Sequence, residues 1–374
     1  MVDDAVGNKI KAVYALSGAP ITFGHLNIIE RVASTFDGLI VAIGMNPLKN
    51  YLFDLPMRIG LAEQCTKHLS NVVVMPFDGL LVDFAYEQNA KIIVKGVRNS
   101  ADFDYENLLH HVGESQHLGI DTHLLIAEQK FAHISSTAVK ALQLEHGFIH
   151  EFVPMPVKAA LEKQLSNQII IGVTGTIAAG KSTLCEALVD EGGKQSIAVH
   201  NVDLDILAHE LLSIDDAPYA QTLREDIVDS FGDEILEDGQ ICRPKLGRIV
   251  FNEVDKMQRL NSLMLKPLLL KIRRSIYRKQ GLILLNAALL AEANMLDLCS
   301  NRVVMLEVDS QRQLARLKAR GYDDDHAKKR VESQFSVDRK LDIVNEAVTA
   351  AKFGCWWRVN SDKAFDVKQR MAYI

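Results

Sequence analysis

Residues 175–182 read G-T-I-A-A-G-K-S, the G-x-x-x-x-G-K-[ST] spacing of a phosphate-binding loop. Gly175 and Gly180 let the chain turn tightly, so that backbone N–H groups point at phosphate oxygens. Lys181 would reach β- and γ-phosphates as a point charge, and the Ser182 hydroxyl would ligate Mg²⁺. Ile177, Ala178, Ala179 and Thr183 complete the candidate phosphate-binding set. Downstream, Asp203 and Asp205 form a D-x-D at a strand end. Opposite such a loop, that pair takes a hydroxyl proton or holds Mg²⁺, or is simply an acidic turn. A second cluster lies near the start of the chain. Thr22, Phe23, Gly24 and His25 put a glycine where the backbone must approach a ligand, and an imidazole beside a helix N-terminus. That suits a nucleotide phosphate whose charge rises in a transition state. Ile134, Ser135, Ser136 and Thr137 open a late helix, where their hydroxyls cap it and reach phosphate.

Strands alternating with helices must position these groups. Apolar runs at 12–16, 38–43, 72–75 and 91–94 predict strands, with a fifth at 121–126. Helical periodicity covers 26–36, 56–69 and 80–88, and a helix over 136–146 is expected to end at Gly147. Another follows to Leu165; Ser166, Asn167 and Gln168 are a short polar join. The run 169–174 predicts the buried strand before the phosphate loop, and 183–189 the helix after it. The pattern predicts two α/β units with parallel sheets. Such a loop normally opens its domain. Its place near mid-chain implies a complete module ahead of it.

The 374 residues fit two domains by length. A net charge of −6 argues against nucleic acid or an anionic membrane as partner. Cys65, Cys185, Cys242, Cys299 and Cys355 are scattered without C-x-x-C spacing, so thiols in a reducing cytosol are expected. The polar, acidic residues 1–8 do not read as a signal peptide, and no apolar run approaches the ~20 residues of a membrane helix. The expectation is a cytoplasmic protein.

The T-x-G-H and I-S-S-T clusters together resemble the nucleotidylyltransferase superfamily. K-G-V-R at 95–98, followed by A-D-F-D-Y-E at 101–106, resembles the R-G-L-R…D-F-x-Y-E segment of bacterial-type phosphopantetheine adenylyltransferase. That resemblance spans a domain set at residues 9–165. It implies a Rossmann-like fold, ATP and 4′-phosphopantetheine as substrates, and dephospho-CoA as product. It implies that His25 stabilises the α-phosphate transition state and that Ser17, Lys49, Lys95 and Arg98 contact phosphates. Gly96, Glu106 and residues 131–137 would line the ATP site, with Leu80 and Leu81 at the pantetheine arm. In this chain Leu16 stands for a family glycine, Ser17 for a threonine, Ala19 for an aspartate and Lys95 for an arginine. A homo-oligomer through this domain is a further family-based expectation.

The phosphate loop, D-x-D and the following Ala208 and His209 resemble dephospho-CoA kinase over a domain set at 169–374, His209 replacing an arginine. Arg243, Leu246, Val250 and Phe251 match a family R-x-x-L-x-x-x-V-F pattern. L-N-A-A-L-L-A-E at 285–292 resembles the D-A-A-x-L-L-E form, with Asn286 replacing the acidic residue. The resemblance implies Mg²⁺-ATP, Asp205 as base, and a helical lid carrying Arg316, Arg320, Arg330 and Gln334, with Asn360 and Ser361 near adenine. The product of the first reaction is the substrate of the second. The chain therefore resembles a bifunctional coenzyme A synthase. The alternative is an active kinase whose first domain serves only structure or oligomerisation.

Overall fold

The computed structural model describes residues 10–45, 50–213, 215–250, 253–319, 321, 323–324, 327–328, 331 and 334–361. It divides into two compact units: Met1–Leu144 with Phe148–Leu165, and Glu145–Gly147 with Ser166–Ile374.

In the first unit, β1 (Lys11–Leu16), β2 (Gly38–Gly44), β3 (Val72–Phe77), β4 (Ile92–Val97) and β5 (Asp121–Ile126) form one sheet in the order β3-β2-β1-β4-β5. Every pairing is parallel. The near-continuous burial of β1 and β2 is what a sheet covered on both faces requires. The covering helices are α1 (Phe23–Thr35), α2 (Leu55–Thr66), α3 (Leu81–Glu87), α4 (Ser100–Glu114), α5 (Ser136–Leu144) and α6 (Met155–Ser166). Asp54 caps α2 by accepting the Met57 N–H at 2.9 Å, and Asn99 caps α4 by accepting that of Asp102 at 2.9 Å. One core packs Ile21, Ile29 and Val32 against Leu39, Val41 and Ile43. A second core gathers Val13, Ala42, Phe84 and Ile93. Strand order reverses between β1 and β4. The crevice at their carboxyl ends is where open α/β sheets bind ligands.

The second unit opens with β6 (Gln168–Gly175), α7 (Lys181–Lys194), β7 (Val199–Asp203) and α8 (Leu204–Ser213). Next come α9 (Pro218–Phe231), the short antiparallel pair β8 (Leu236–Glu237) and β9 (Gln240–Ile241), α10 (Arg243–Val250) and α11 (Val254–Ile276). It continues through β10 (Gly281–Asn286), β11 (Arg302–Glu307), α12 (Ser310–Ala319), α13 (Val337–Ala351) and β12 (Cys355–Asn360). The sheet order is β12-β11-β6-β10-β7, again wholly parallel. Ile171, Leu184, Leu284 and Leu306 build its core, while α8 to α11 pack a helical cluster around Leu211, Leu223, Phe231 and Leu246.

Two parallel-sheet α/β units are thus present, and the five expected strands of the first unit lie within one to three residues of their predicted limits. The helix expected over 136–146 stops at Leu144 instead, and His146 takes a positive φ of 55°. α4 carries no fully buried residue, so no apolar stripe announces it. Among the described residues, no helix is long and apolar enough to cross a membrane.

Candidate active sites

The first site lies where β1 and β4 end. Gly18 turns the chain at φ 61°, and Thr22 caps α1. The His25 Nδ1 accepts the Thr22 backbone N–H at 3.0 Å, which leaves the proton of the neutral ring on Nε2. Burial, reinforced by the nearby Arg98 cation, pushes the His25 pKa down to about 4. At neutral pH the ring is therefore an uncharged donor beside a helix N-terminus. Ser136 closes the other side: its hydroxyl donates to the Pro20 carbonyl at 2.8 Å and ties the start of α5 to the β1–α1 turn. Ser135 accepts the Ala138 N–H at 3.1 Å, Ile134 is buried and Thr137 is exposed.

Arg98 follows β4. Its Nε donates to Asp102 at 2.9 Å and its Nη1 to the Ile134 carbonyl at 3.1 Å. The hydrogen bonds from Arg98 hold the Asp102 carboxyl below the usual range and raise Arg98 in turn. Arg98 is thereby aimed at the I-S-S-T turn and stays charged. Lys95 pairs with Glu106 at 2.9 Å across a cavity of about 120 Å³ that Leu80, Leu81 and His110 also line. Gly96 packs on Ile28: a Cβ there would come within 3.0 Å of Ile28 Cγ1 and 3.7 Å of the Tyr14 hydroxyl. Burial raises Tyr14 far above the ordinary phenol range, with Glu106 adding to the effect. Gly24 has no such crowding, since a Cβ would meet nothing nearer than 3.5 Å. Leu16 and Ala19 are buried in the wall of the unit. Lys49 lies outside the described residues.

Arg58 carried no sequence signal. It is 1% exposed, and one nitrogen donates to the carbonyls of Ser17 at 2.7 Å and Gly44 at 2.9 Å. Its guanidinium stacks on the Tyr51 ring at 4.0 Å. Arg58 so fixes the carboxyl ends of β1 and β2, including the turn that carries Ser17.

In the second unit the loop after β6 is held from behind. Gly175 sits at φ 147°, and a Cβ there would collide with the Leu306 carbonyl. Gly180, at φ 92°, starts α7 in the left-handed region. The buried Lys181 Nζ donates to the Thr176 carbonyl at 3.1 Å. Ser182 and Thr183 are exposed on the first turn of α7. Ala178 and Ala179 are buried. The Arg316 Nη1 donates to the Ala178 carbonyl at 3.0 Å, and the Gln313 amide to that of Ile177 at 2.9 Å. Gln334 Oε1 accepts the Ile177 N–H at 2.8 Å, a place that an anionic oxygen can also take. Arg320 and Arg330 lie outside the described residues.

Asp203 ends β7, and its Oδ1 accepts the Asp205 N–H at 3.0 Å. Its Oδ2 accepts Asn286 Nδ2 at 2.9 Å. The amide at 286 therefore restrains an acidic side chain instead of repelling it. Asp205 keeps solvent access, yet the surrounding protein raises its pKa. Asp203 adds to the rise, while Lys181, Arg243 and Lys340 oppose it. Lys340 was not foreseen. It is 0% exposed on α13 and binds Glu292 at 2.6 Å and the Ala288 carbonyl at 2.5 Å. Its signal was the spacing of Lys340, Leu341 and Val344 on one buried helical face.

Residues 19–142 match the cytidylyltransferase-like family model, and residues 169–351 the dephospho-CoA kinase model. The phosphopantetheine adenylyltransferase of Actinobacillus succinogenes is 40% identical over 152 residues, 41% of this chain and 94% of that protein. That of Mannheimia succiniciproducens is 40% identical over 149 residues, 40% of this chain and 94% of that protein. A solved structure from Thermus thermophilus has a TM-score of 0.42 and 20% identity, covering 55% of this chain and 96% of its own. Two glycine-bearing turns, each on its own parallel sheet, thus sit on two separate family assignments: the chain belongs to the phosphopantetheine adenylyltransferase family in its first unit and carries a dephospho-CoA kinase family domain in its second.

Proposed function

We propose that this chain performs two consecutive transfers, making dephospho-CoA from ATP and 4′-phosphopantetheine and then phosphorylating its ribose 3′-hydroxyl. The observation that carries this reading is the pairing of the two families in one chain, because the product of the first-named activity is the substrate of the second. In the first step a phosphate oxygen of 4′-phosphopantetheine attacks the α-phosphorus of ATP, and pyrophosphate leaves. His25 Nε2–H donates to the α-phosphate oxygens as charge gathers on them, with Arg98, Lys95 and Lys49 on the flanking phosphates. No covalent enzyme intermediate is needed; positioning suffices.

In the second step the 3′-hydroxyl attacks the γ-phosphorus of ATP and ADP leaves. Asp205 takes the proton, its raised pKa making it a better base than an ordinary carboxylate. Lys181 and Arg316 face the phosphates. The oxygens of Ser182 and Asp203 are hard donors of the kind Mg²⁺ prefers, so these residues would hold it. When bound, it neutralises phosphate charge. A purely structural first unit is not favoured. Leu16 and Ala19 lie in the wall, and Lys95 stays beside Glu106, so the departures leave the donors in place. Exposed Phe103, Tyr105, Leu108 and Ile126 on α4 and edge strand β5 support a second copy docking there. The substrates and the absence of a spanning helix among the described residues fit a cytoplasmic enzyme.

Product analysis with both substrates tests the reading. Wild type should release pyrophosphate and form coenzyme A. His25→Ala should stop pyrophosphate release, and Lys181→Ala should accumulate dephospho-CoA. No pyrophosphate from wild type, or undiminished phosphorylation in Lys181→Ala, overturns it.

A further inference from the structure

α4 carries His110, His111 and Glu114, whose donor atoms all lie within 4.8 Å of one another. His110 Nε2 is 3.6 Å from Glu114 Oε1, and His111 Nδ1 is 3.3 Å from Glu114 Oε2. These separations are near those of a tetrahedral metal, and small side-chain rotations on the helix surface would close the remainder. Donors about 2.0–2.1 Å from Zn²⁺ lie about 3.3–3.4 Å apart. Helical spacing explains the convergence: Glu114 is i+4 from His110 and i+3 from His111, so its two oxygens reach both rings. Ordinary i,i+3 and i,i+4 pairing needs one histidine. Here two imidazoles converge on one carboxylate, which gives a set of three possible donors.

We propose that this triad is a site for a divalent transition metal of the zinc class. Imidazole selects zinc, copper or nickel over magnesium and calcium, which prefer all-oxygen sites. The site is separate from the phosphate groups described above, although His110 also borders the cavity of Lys95 and Glu106. His111 and Glu114 do not line that cavity. Their side chains are 64% and 58% exposed, so replacing them leaves the packing intact.

The test uses the untagged full chain, stripped with EDTA, and Zn²⁺ or Co²⁺ alone. Calorimetry should give one Zn²⁺ per chain with micromolar affinity, and Co²⁺ should develop visible d–d absorption of a four-coordinate site. His111→Ala and Glu114→Gln should each weaken binding at least as much as loss of an outer partner does, about 10–100-fold. Unchanged far-ultraviolet circular dichroism certifies the fold of each variant. Binding that is only millimolar, or micromolar binding unchanged in both variants, overturns the site.

Discussion

Replacing Lys340 by methionine keeps a long apolar side chain but removes a charge that is 0% exposed. Glu292, itself only 14% exposed, loses its partner at 2.6 Å. The Ala288 carbonyl loses one donor and keeps only the Thr174 hydroxyl at 3.2 Å. Breaking a buried pair from one side costs about 3–5 kcal/mol, because the remaining charge stays desolvated. In a unit of this size each kcal/mol moves the melting point by about 2–4 °C, so a fall of about 6–20 °C is expected. Removing both charges, in Lys340→Met with Glu292→Leu, should recover most of that loss. The chain has two tryptophans, Trp356 and Trp357, both on β12, so urea unfolding followed by tryptophan fluorescence reports the second unit alone. Lys340 also opposes the upward shift of Asp205. Its loss should raise the Asp205 pKa further and move the acid limb of 3′-phosphorylation to higher pH. A single variant within about 1 kcal/mol of wild type, or a double variant as unstable as the single, would refute the buried-pair reasoning.

His25→Gln should lower adenylyl transfer by about 10²–10³-fold, with 3′-phosphorylation of supplied dephospho-CoA unchanged in coupled assays. His25 also carries a pH signature. Its folded pKa of about 4 lies below the ordinary histidine value of 6.5, so between those values the unfolded chain binds a proton that the folded chain refuses. That contribution makes stability fall as pH drops from 6.5 towards 4, and His25→Gln should flatten the fall in urea titrations of the first unit. Gly175→Ala forces a side chain against the Leu306 carbonyl at φ 147°. The strain of about 1–3 kcal/mol should lower 3′-phosphorylation about 5–150-fold while pyrophosphate release persists. Ser136→Ala removes the 2.8 Å tether to Pro20, worth about 1 kcal/mol, and should slow adenylyl transfer about fivefold in the pyrophosphate assay.

The legible parts of this molecule are those whose reasons are local. The apolar runs of the first sheet announce themselves because a parallel sheet buries both faces. The phosphate loop is legible because Gly175 and Gly180 meet backbone demands that few other residues satisfy. Thr22 and His25 are three residues apart, so a reciprocal contact at a helix start can be anticipated from spacing. Arg58 is different. Its role arises because two strand ends, at Ser17 and Gly44, converge in space. Nothing near residue 58 encodes that convergence. Lys340 and Glu292 are 48 residues apart in sequence, and only the fold, which brings α13 beside the turn that follows β10, makes them partners. α4 escaped notice for the opposite reason: its inner face, Asp102, Glu106, His110 and Gly113, carries no apolar side chain to reveal a helical period.

Both candidate sites share a design in which other protein groups hold the polar side chains and turns in place. Thr22 fixes the His25 tautomer, Asp102 and the Ile134 carbonyl hold Arg98, and Arg316 and Gln313 brace the phosphate loop through its carbonyls. Such preorganisation lowers the reorganisation needed as charge develops. It also gives Asn286 a role at a position where the resemblance to dephospho-CoA kinase implies an acid. An aspartate there would put a second carboxylate within hydrogen-bonding range of Asp203, in a position 2% exposed. Two like charges so close raise one pKa strongly unless a cation sits between them. The amide instead donates to Asp203 and keeps its carboxylate oriented with or without a cation. Asp203 in turn positions the backbone of Asp205, the proposed base, by accepting its N–H. The substitution thus moves one element of the site from charge pairing to hydrogen bonding, and leaves the Lys181 cation to oppose the upward shift of Asp205.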